Sequence, residues 1–379
     1  MAYSLKKMWT AMAVSLVGAA GFVSAAPIYD GNFVQGDNNN CCPVSDYGSC
    51  GSLRPALDGC GNWFFSAEGL YFKASEDGLA FAAVREAGFA PSANVTATEI
   101  LNPRVKWDWG VRIGAGYDFS CGWDLRAYYT HYHTKASGDF DLAAPAVESI
   151  FPLYGSNVLN GTGTAVVAMD ARWKLRVDLA DLELGRDFCC GPCVSVRPHV
   201  GLRAVWLNQK YFIEASDAAH TLASTSVIDS QSIFMKSEFE GIGLRTGLDT
   251  QWCVGCGFSV YGCAAASIVY GKFHNHFDET DLLFSGTTTL VETTNQFIQR
   301  DSYHASRFIT DAGIGIRWSQ AYCCDTVIVT LNAGWEHHLF INQNRFEDFF
   351  NPVAGTQHPQ RSRGDLEIHG WTFGAKVDF

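Results

Sequence analysis

The chain has 379 residues, of which 17% are charged and 13% aromatic, and its formal net charge is −12. Beyond the first 26 residues no stretch approaches 18 consecutive apolar residues, which excludes helical membrane spans there. The acidic balance argues against nucleic-acid and anionic-lipid partners.

The first element in chain order is a leader. "MAYSLKKMWTAMAVSLVGAAGFVSAA" joins Lys6 and Lys7 to an apolar run over 8–23 and ends on the small residues Ser24 and Ala26. This pattern predicts a secretory signal cleaved after Ala26. Its removal takes Lys6 and Lys7 with it, so the charge of the remaining 350 or so residues is −14. A cysteine-rich segment, 27–62, follows with Cys41, Cys42, Cys50 and Cys60.

From Trp63 onward the period is two. In "WDWGVRIGAGYDF" every odd position from Trp107 to Phe119 is apolar or aromatic, and Asp108, Arg112 and Asp118 alternate with glycines between them. "VSVRPHVGLRAVW" places apolar residues at the even positions from Val194 to Trp206, with Arg197, His199 and Arg203 on the other face. In "RFITDAGIGIRW", Phe308, Ile314, Ile316 and Trp318 oppose Arg307, Asp311 and Arg317. The alternation changes phase near Leu179 to Leu182, which predicts a bulge. Ten strands are expected, at about 63–73, 107–119, 122–135, 169–188, 194–213, 236–252, 257–273, 305–320, 325–341 and 366–379. Long connections at 74–106, 136–168, 214–235, 274–304 and 342–365 alternate with short ones at 119–122, 188–194, 252–257 and 320–325. An even strand count, aromatic strand ends and alternating loop lengths are the pattern of a transmembrane antiparallel β-barrel. We therefore expect an all-β barrel of ten strands over 63–379, with both termini periplasmic. The last strand, "GWTFGAKVDF", closes on Phe379, as in the terminal signal read by bacterial barrel-assembly machinery.

If the polar face lines a lumen, Glu68, Asp108, Arg112, Asp118, Asp124, Arg126, Arg172, Lys174, Arg176, Asp178, Arg197, His199, Arg203, Arg245, Asp249, Arg307, Asp311 and Arg317 line it. Arg172, Lys174 and Arg176, beside Arg197 and Arg203 on the next strand, would favour anions. A salt-bridged plug is the competing outcome, since narrow barrels fill their interiors with side chains. His131 with His133, His274 with His276, and His337 with His338 are expected as interfacial polar residues near the outer strand ends rather than as metal ligands. Asn94 and Asn160 match the glycosylation sequon, a short pattern common by chance. There is no P-loop, G-x-S-x-G, H-E-x-x-H or dinucleotide fingerprint, so no enzymatic activity and no cofactor is expected.

The cysteines follow the short turns. Cys121, Cys189, Cys190, Cys193, Cys253, Cys256, Cys323 and Cys324 lie at four of them, while Cys263 sits inside a strand. With the four of 27–62, twelve thiols are expected on the periplasmic, oxidising side. Disulfides are the leading reading for them; a structural zinc site or a redox dithiol built from the C-x-x-C spacings is weaker.

"GWDLRAYYTHYHT", "WKLRVDLADLELGRDF", "RPHVGLRAVWLNQKY" and the C-terminal "GWTFGAKVDF" resemble the Legionella-type major outer membrane protein family, over most of the chain from Trp63 to Phe379. The resemblance implies a pore-forming barrel and, for cysteine-rich members, a disulfide-linked envelope; it supplies no catalytic motif. The expected function is thus an outer-membrane porin for small solutes that is also cross-linked to itself or to other envelope proteins. The alternative is a structural scaffold or surface adhesin with a closed barrel. Expected partners are outer-membrane lipid and small solutes, without nucleic acid.

Overall fold

The computed structural model describes residues 62–86, 97–119, 122–141, 148–154, 168–190, 193–216, 226–285, 291–322, 327–350, 358–361 and 364–379. The expected leader and all of segment 27–62 except Asn62 lie outside the described residues. Ten strands form the wall: β1 Asn62–Glu76, β2 Asp108–Asp118, β3 Trp123–Asp141, β4 Ala168–Arg186, β5 Val194–Ser216, β6 Ser226–Gly255, β7 Phe258–Ser285, β8 Val291–Tyr322, β9 Val327–Asn344 and β10 Gly364–Asp378. Each pairs antiparallel with the next, and β10 pairs with β1, so the sheet closes on itself. Closure satisfies the backbone groups that an open edge would leave in lipid. Trp63 and Phe379 exchange backbone hydrogen bonds of 2.9 Å, so the start of the wall and the C-terminus meet at the end of the barrel that carries the short turns.

The exterior shows why this sheet suits a bilayer. Trp63, Tyr117, Trp123, Trp252, Phe258 and Phe379 ring the turn end, and Tyr71, Trp109, Tyr129, Trp206, Tyr270 and Trp371 form a second ring higher up. Between them the outward residues are apolar: Val111 and Ile113 on β2, Leu182 and Leu184 on β4, Val200 and Leu202 on β5, Ile242 and Leu244 on β6, Ile314 and Ile316 on β8. From Trp109 to Tyr117, at about 3.3 Å per residue and a tilt of about 40°, the rings stand roughly 20 Å apart on β2. On β7, from Tyr270 to Phe258, the same arithmetic gives roughly 30 Å. An apolar band about 25 Å tall between aromatic girdles is what a transmembrane barrel presents to lipid.

All ten expected strands are present, but several continue far past the upper ring. β6 begins at Ser226, β7 runs to Ser285 and β8 begins at Val291, so most of the expected long connections 214–235 and 274–304 is strand. The four short turns stand. The one between β6 and β7 has Cys256 at φ 52° and Gly257 at φ 78°, the two left-handed positions of a type I′ hairpin turn. Short strands decorate the other end. Ala82–Glu86 pairs with Ala97–Leu101 and Glu148–Pro152, and Glu347–Phe350 pairs with His358–Arg361.

The bulge expected near Leu179 is absent. β4 pairs with β3 and β5 in unbroken register from one end to the other. What changes is the surroundings. The odd residues face inward throughout, from Met169 and Trp173 to Asp181 and Glu183. Above the upper ring the interior is largely apolar, interrupted by buried polar residues such as Gln209 and Glu279, and the exterior is wet; below it the exterior is apolar and the interior polar. The sequence pattern therefore inverts while the backbone runs straight.

Candidate functional site

The interior has two storeys. The lower one, inside the apolar band, is an ion-pair network that crosses from wall to wall. Arg197 on β5 donates to Asp124 on β3 (Nε–Oδ2 2.7 Å) and to Asp249 on β6 (2.9 Å), and lies 3.4 Å from Glu183 on β4. Arg126 reaches the same Asp124 at 3.1 Å. Glu183 accepts from Arg245 of β6 at 2.9 Å, and Arg245 also pairs with Asp311 of β8. Asp311 gathers Arg203 at 2.7 Å and His338 of β9 at 2.7 Å, and Arg203 holds Asp181 at 2.6 Å. His338 lies 3.3 Å from Glu336, which accepts from Arg112 of β2 at 2.7 Å; Arg112 closes the chain on Glu68 of β1 at 2.8 Å.

Strand alternation produces this convergence, because every member sits at an inward position of its strand. Glycines at neighbouring inward positions leave the room. A Cβ at Gly116 would collide with the Phe64 ring, and one at Gly185 with the Arg197 guanidinium. The arginines Arg112, Arg126, Arg197, Arg203 and Arg245 face a larger set of carboxylates: Glu68, Asp124, Asp181, Glu183, Asp249, Asp311 and Glu336. A cavity of about 190 Å3 remains among them, and its lining reaches Ser195, Gln251 and Arg317 toward the turn end.

The upper storey is a packed apolar core. Trp173, Tyr211, Phe239, Phe273 and Phe340 project inward from five different strands and are fully buried. The chain after β1 folds into the mouth above them, burying Leu79 and Phe81. Within β1 Tyr132 donates to the Phe72 carbonyl (3.1 Å); beyond it two tyrosines fix the chain in the mouth, Tyr211 donating to the Leu79 carbonyl (2.6 Å) and Tyr154 to that of Gly78. Asn344 adds a bond of 2.8 Å to the Asp77 carbonyl.

Of the expected lumen residues, Glu68, Asp108, Arg112, Asp118, Asp124, Arg126, Arg197, His199, Arg203, Arg245, Asp249, Arg307, Asp311 and Arg317 occupy inward positions. Arg172, Lys174, Arg176 and Asp178 do not line it. They are at even positions of β4 and face outward, Asp178 beside Trp206 and Tyr129 of the upper ring and the others above it, with the Arg172 and Arg176 side chains 57% and 62% exposed. Assuming that charge marks the inner face fails there, because the wall has left the membrane and its outer face is in water. Arg307 sits in the upper storey over the Phe273 ring, 4.5 Å from its centroid. Asp181, Glu183, Glu336 and His338 were missed. The unbroken odd phase of "DLADLELG" places the first two inward, and the even phase through Thr330, Asn332 and Gly334 places the others.

Of the histidine pairs, parity separates only His337 from His338. His337 faces outward to Glu367 (3.0 Å), whereas His338 is inside. His131 and His133 are outward, with their rings 5.9 Å apart and His131 2.7 Å from Asp178. No metal-binding group of three or more ligands occurs among the described residues. Of the expected disulfide residues, Cys41, Cys42, Cys50, Cys60, Cys121, Cys323 and Cys324 lie outside the described residues. Cys193 is disulfide-bonded, while Cys190 and Cys253 are reduced. Cys190 and Cys256 are exposed at the turn end, and the backbones of Cys253 and Cys193 are joined there by a 2.8 Å hydrogen bond.

A closed ten-strand sheet with a lipid-matched exterior and a charged interior defines the class: a transmembrane β-barrel. Residues 58–379 match the family described as "Legionella pneumophila major outer membrane protein precursor", and the chain belongs to that family, whose place is the outer membrane. No curated protein matches the chain. Among solved structures it is similar to the outer membrane protease OmpT of Escherichia coli (11% identity, 84% of this chain and 96% of that one, TM-score 0.38). It is also similar to a major outer membrane protein of Thermus thermophilus (10%, 85% and 100%, TM-score 0.29) and to OprG of Pseudomonas aeruginosa (9%, 84% and 99%, TM-score 0.26).

Proposed function

We propose that this protein is a structural component of the outer-membrane surface, closed to solute flow, with its loop end outside the cell and its cysteine-bearing turn end in the periplasm. The observation that carries the closed reading is the apolar upper storey. Its rings belong to the wall itself, so displacement of the loops would not clear them. A ten-strand barrel is only a little wider than an eight-strand one, whose interior side chains fill. The ion-pair network below adds a second obstruction. This reading contains no catalytic step.

The porin reading retains one supporting observation, the charged cavity that extends toward the turn end. Planar-bilayer recording of the purified, folded protein separates the two. Silent membranes are expected; reproducible stepwise conductance would instead establish a channel for small solutes. Surface proteolysis of intact cells tests the orientation, with cleavage expected in the long loops and none at the four turns. Exposed Cys190 and Cys256 at the turn end support linkage to neighbours. Non-reducing electrophoresis of envelopes, with thiols blocked at lysis, should show high-mass species that collapse on reduction; monomer alone would remove that part of the proposal.

A further inference from the structure

The four outward residues misplaced by the sequence pattern belong to a larger arrangement. Lys135 of β3 is directly opposite Lys174 of β4, which is opposite Lys210 of β5, which is opposite Lys236 of β6. The same row continues to His276 of β7 and Arg300 of β8. Six adjacent strands thus carry a cationic or titratable basic residue at one register position, all on the outer face. Arg172 and Arg176 flank the row on β4.

Like charges directly opposite on neighbouring strands repel, since their Cβ atoms are about 5 Å apart. Lys236 is relieved by Glu238 at 2.7 Å, Arg172 by Asp170 at 3.5 Å and Arg176 by Asp178 at 2.7 Å. Lys135, Lys174 and Lys210 are exposed and have no carboxylate partner among the described residues. Three adjacent lysines without a counter-charge are a site for anions from outside the chain.

Height identifies the anion. Tyr129 on β3 and Trp206 on β5 belong to the upper aromatic ring, at the top of the apolar band. Lys135 is six residues above Tyr129 and Lys210 four above Trp206 on their own strands, which puts them about 10–15 Å above the hydrocarbon at a tilt near 40°. Phosphoglyceride headgroups add only about 5–7 Å per leaflet. Only a tall headgroup brings phosphates to that level. We infer that Lys135, Lys174 and Lys210 bind the phosphate groups of a membrane lipid that carries a phosphorylated oligosaccharide headgroup, in the leaflet at the loop end. The acidic total charge, which argued against anionic lipid, is offset here because basic residues are concentrated on one outer band. The leaflet assignment rests on the proposed orientation; the lysine–phosphate contact does not.

The test is titration of the detergent-folded protein with rough-type lipopolysaccharide, read by native mass spectrometry at two salt concentrations. At about fivefold per lysine near an anionic surface, the Lys135→Gln/Lys174→Gln/Lys210→Gln variant should bind about 100-fold more weakly. Dephosphorylated lipopolysaccharide should bind wild type with a comparable loss, and added salt should weaken the wild-type complex. Lysine-to-arginine changes at the same three positions should retain binding. Heat-modifiable gel mobility checks that each variant is folded, and removal of the repulsion predicts that the glutamine variant folds at least as well without lipid. Binding of the glutamine variant equal to wild type would overturn the proposal. So would equal binding of the dephosphorylated lipid, or displacement of the lipid by inorganic phosphate at equimolar concentration, which would mark a free-anion site instead. The titration is blind to orientation and to conductance, so its failure is separable from failure of the closed-barrel reading.

Discussion

On β4, Leu182 and Leu184 face outward while Asp181 and Glu183 face inward; a few residues further up the same strand, Arg172, Lys174 and Arg176 face outward and Trp173 and Leu175 inward. The lower and upper halves of the barrel share backbone, register and parity and reverse their chemistry. β5 does the same, with Val200 and Leu202 outside against Arg203 inside, then Lys210 outside against Tyr211 inside. The two halves solve opposite solvent problems. In the bilayer the exterior must be apolar, so charge can be placed only inside, where it must be paired. Beyond the bilayer the wall behaves as a soluble sheet, and the hydrophobic effect draws apolar residues to its interior.

The largest effect should come from breaking the lower storey. Asp311 holds Arg203, Arg245 and His338 together. Asp311→Ala leaves two buried guanidinium groups facing each other without it, at a cost of about 3–5 kcal/mol. Urea unfolding in lipid vesicles, followed by tryptophan fluorescence, measures the loss. Adding Arg245→Met should restore part of it, since the repulsion between the two guanidinium groups is then gone and Glu183 keeps Arg197 at 3.4 Å. A double variant no more stable than Asp311→Ala would mean that the network does not act as a unit.

In the upper storey the corresponding break is a cavity. Trp173→Ala removes the largest fully buried side chain of the apolar core and should cost about 3–5 kcal/mol in the same assay, toward the lower end if the neighbouring rings relax into the space. The two changes differ in what else they alter. Asp311→Ala should leave amide hydrogen exchange in the loop-end strand extensions near wild type. Trp173→Ala should accelerate it there, because those extensions have no lipid around them and depend on their own core.

The strand count, the short turns and the C-terminal strand were legible in the sequence because lipid imposes a strict period of two on every segment it touches. The extensions were not. In β7, Asn275, Phe277, Glu279 and Asp281 point inward and His274, His276 and Asp278 outward, so both faces are largely polar and the period disappears. Inside the mouth Gln231 donates to Glu279 at 2.6 Å, and nothing local in the sequence marks such pairing. The ion-pair cluster was half legible for a related reason. Arg197 and Arg203 alternate with plain lipid-facing residues, whereas at Arg172 to Arg176 charge alternates with apolar residues just as regularly, and only the position of the membrane boundary says which face is which.

That boundary can be located by an exchange on one strand. Leu182 and Lys174 are both outward on β4, eight residues apart, with Leu182 between the aromatic rings and Lys174 above them. Leu182→Lys puts an ammonium into hydrocarbon and should cost about 2–4 kcal/mol if the site is near the midplane, less toward the interface. Lys174→Leu places an apolar side chain in water, opposite two other lysines, and should fall within about 0.5 kcal/mol of wild type in lipid-free detergent. The sign is set by two small terms: exposure of the leucine is neutral, and loss of a charge from the row relieves Lys135 and Lys210. A slight gain is therefore expected, and it should shrink as salt is added, because repulsion between exposed charges is screened. If the two substitutions cost the same, both positions share one solvent and the second storey is not outside the membrane.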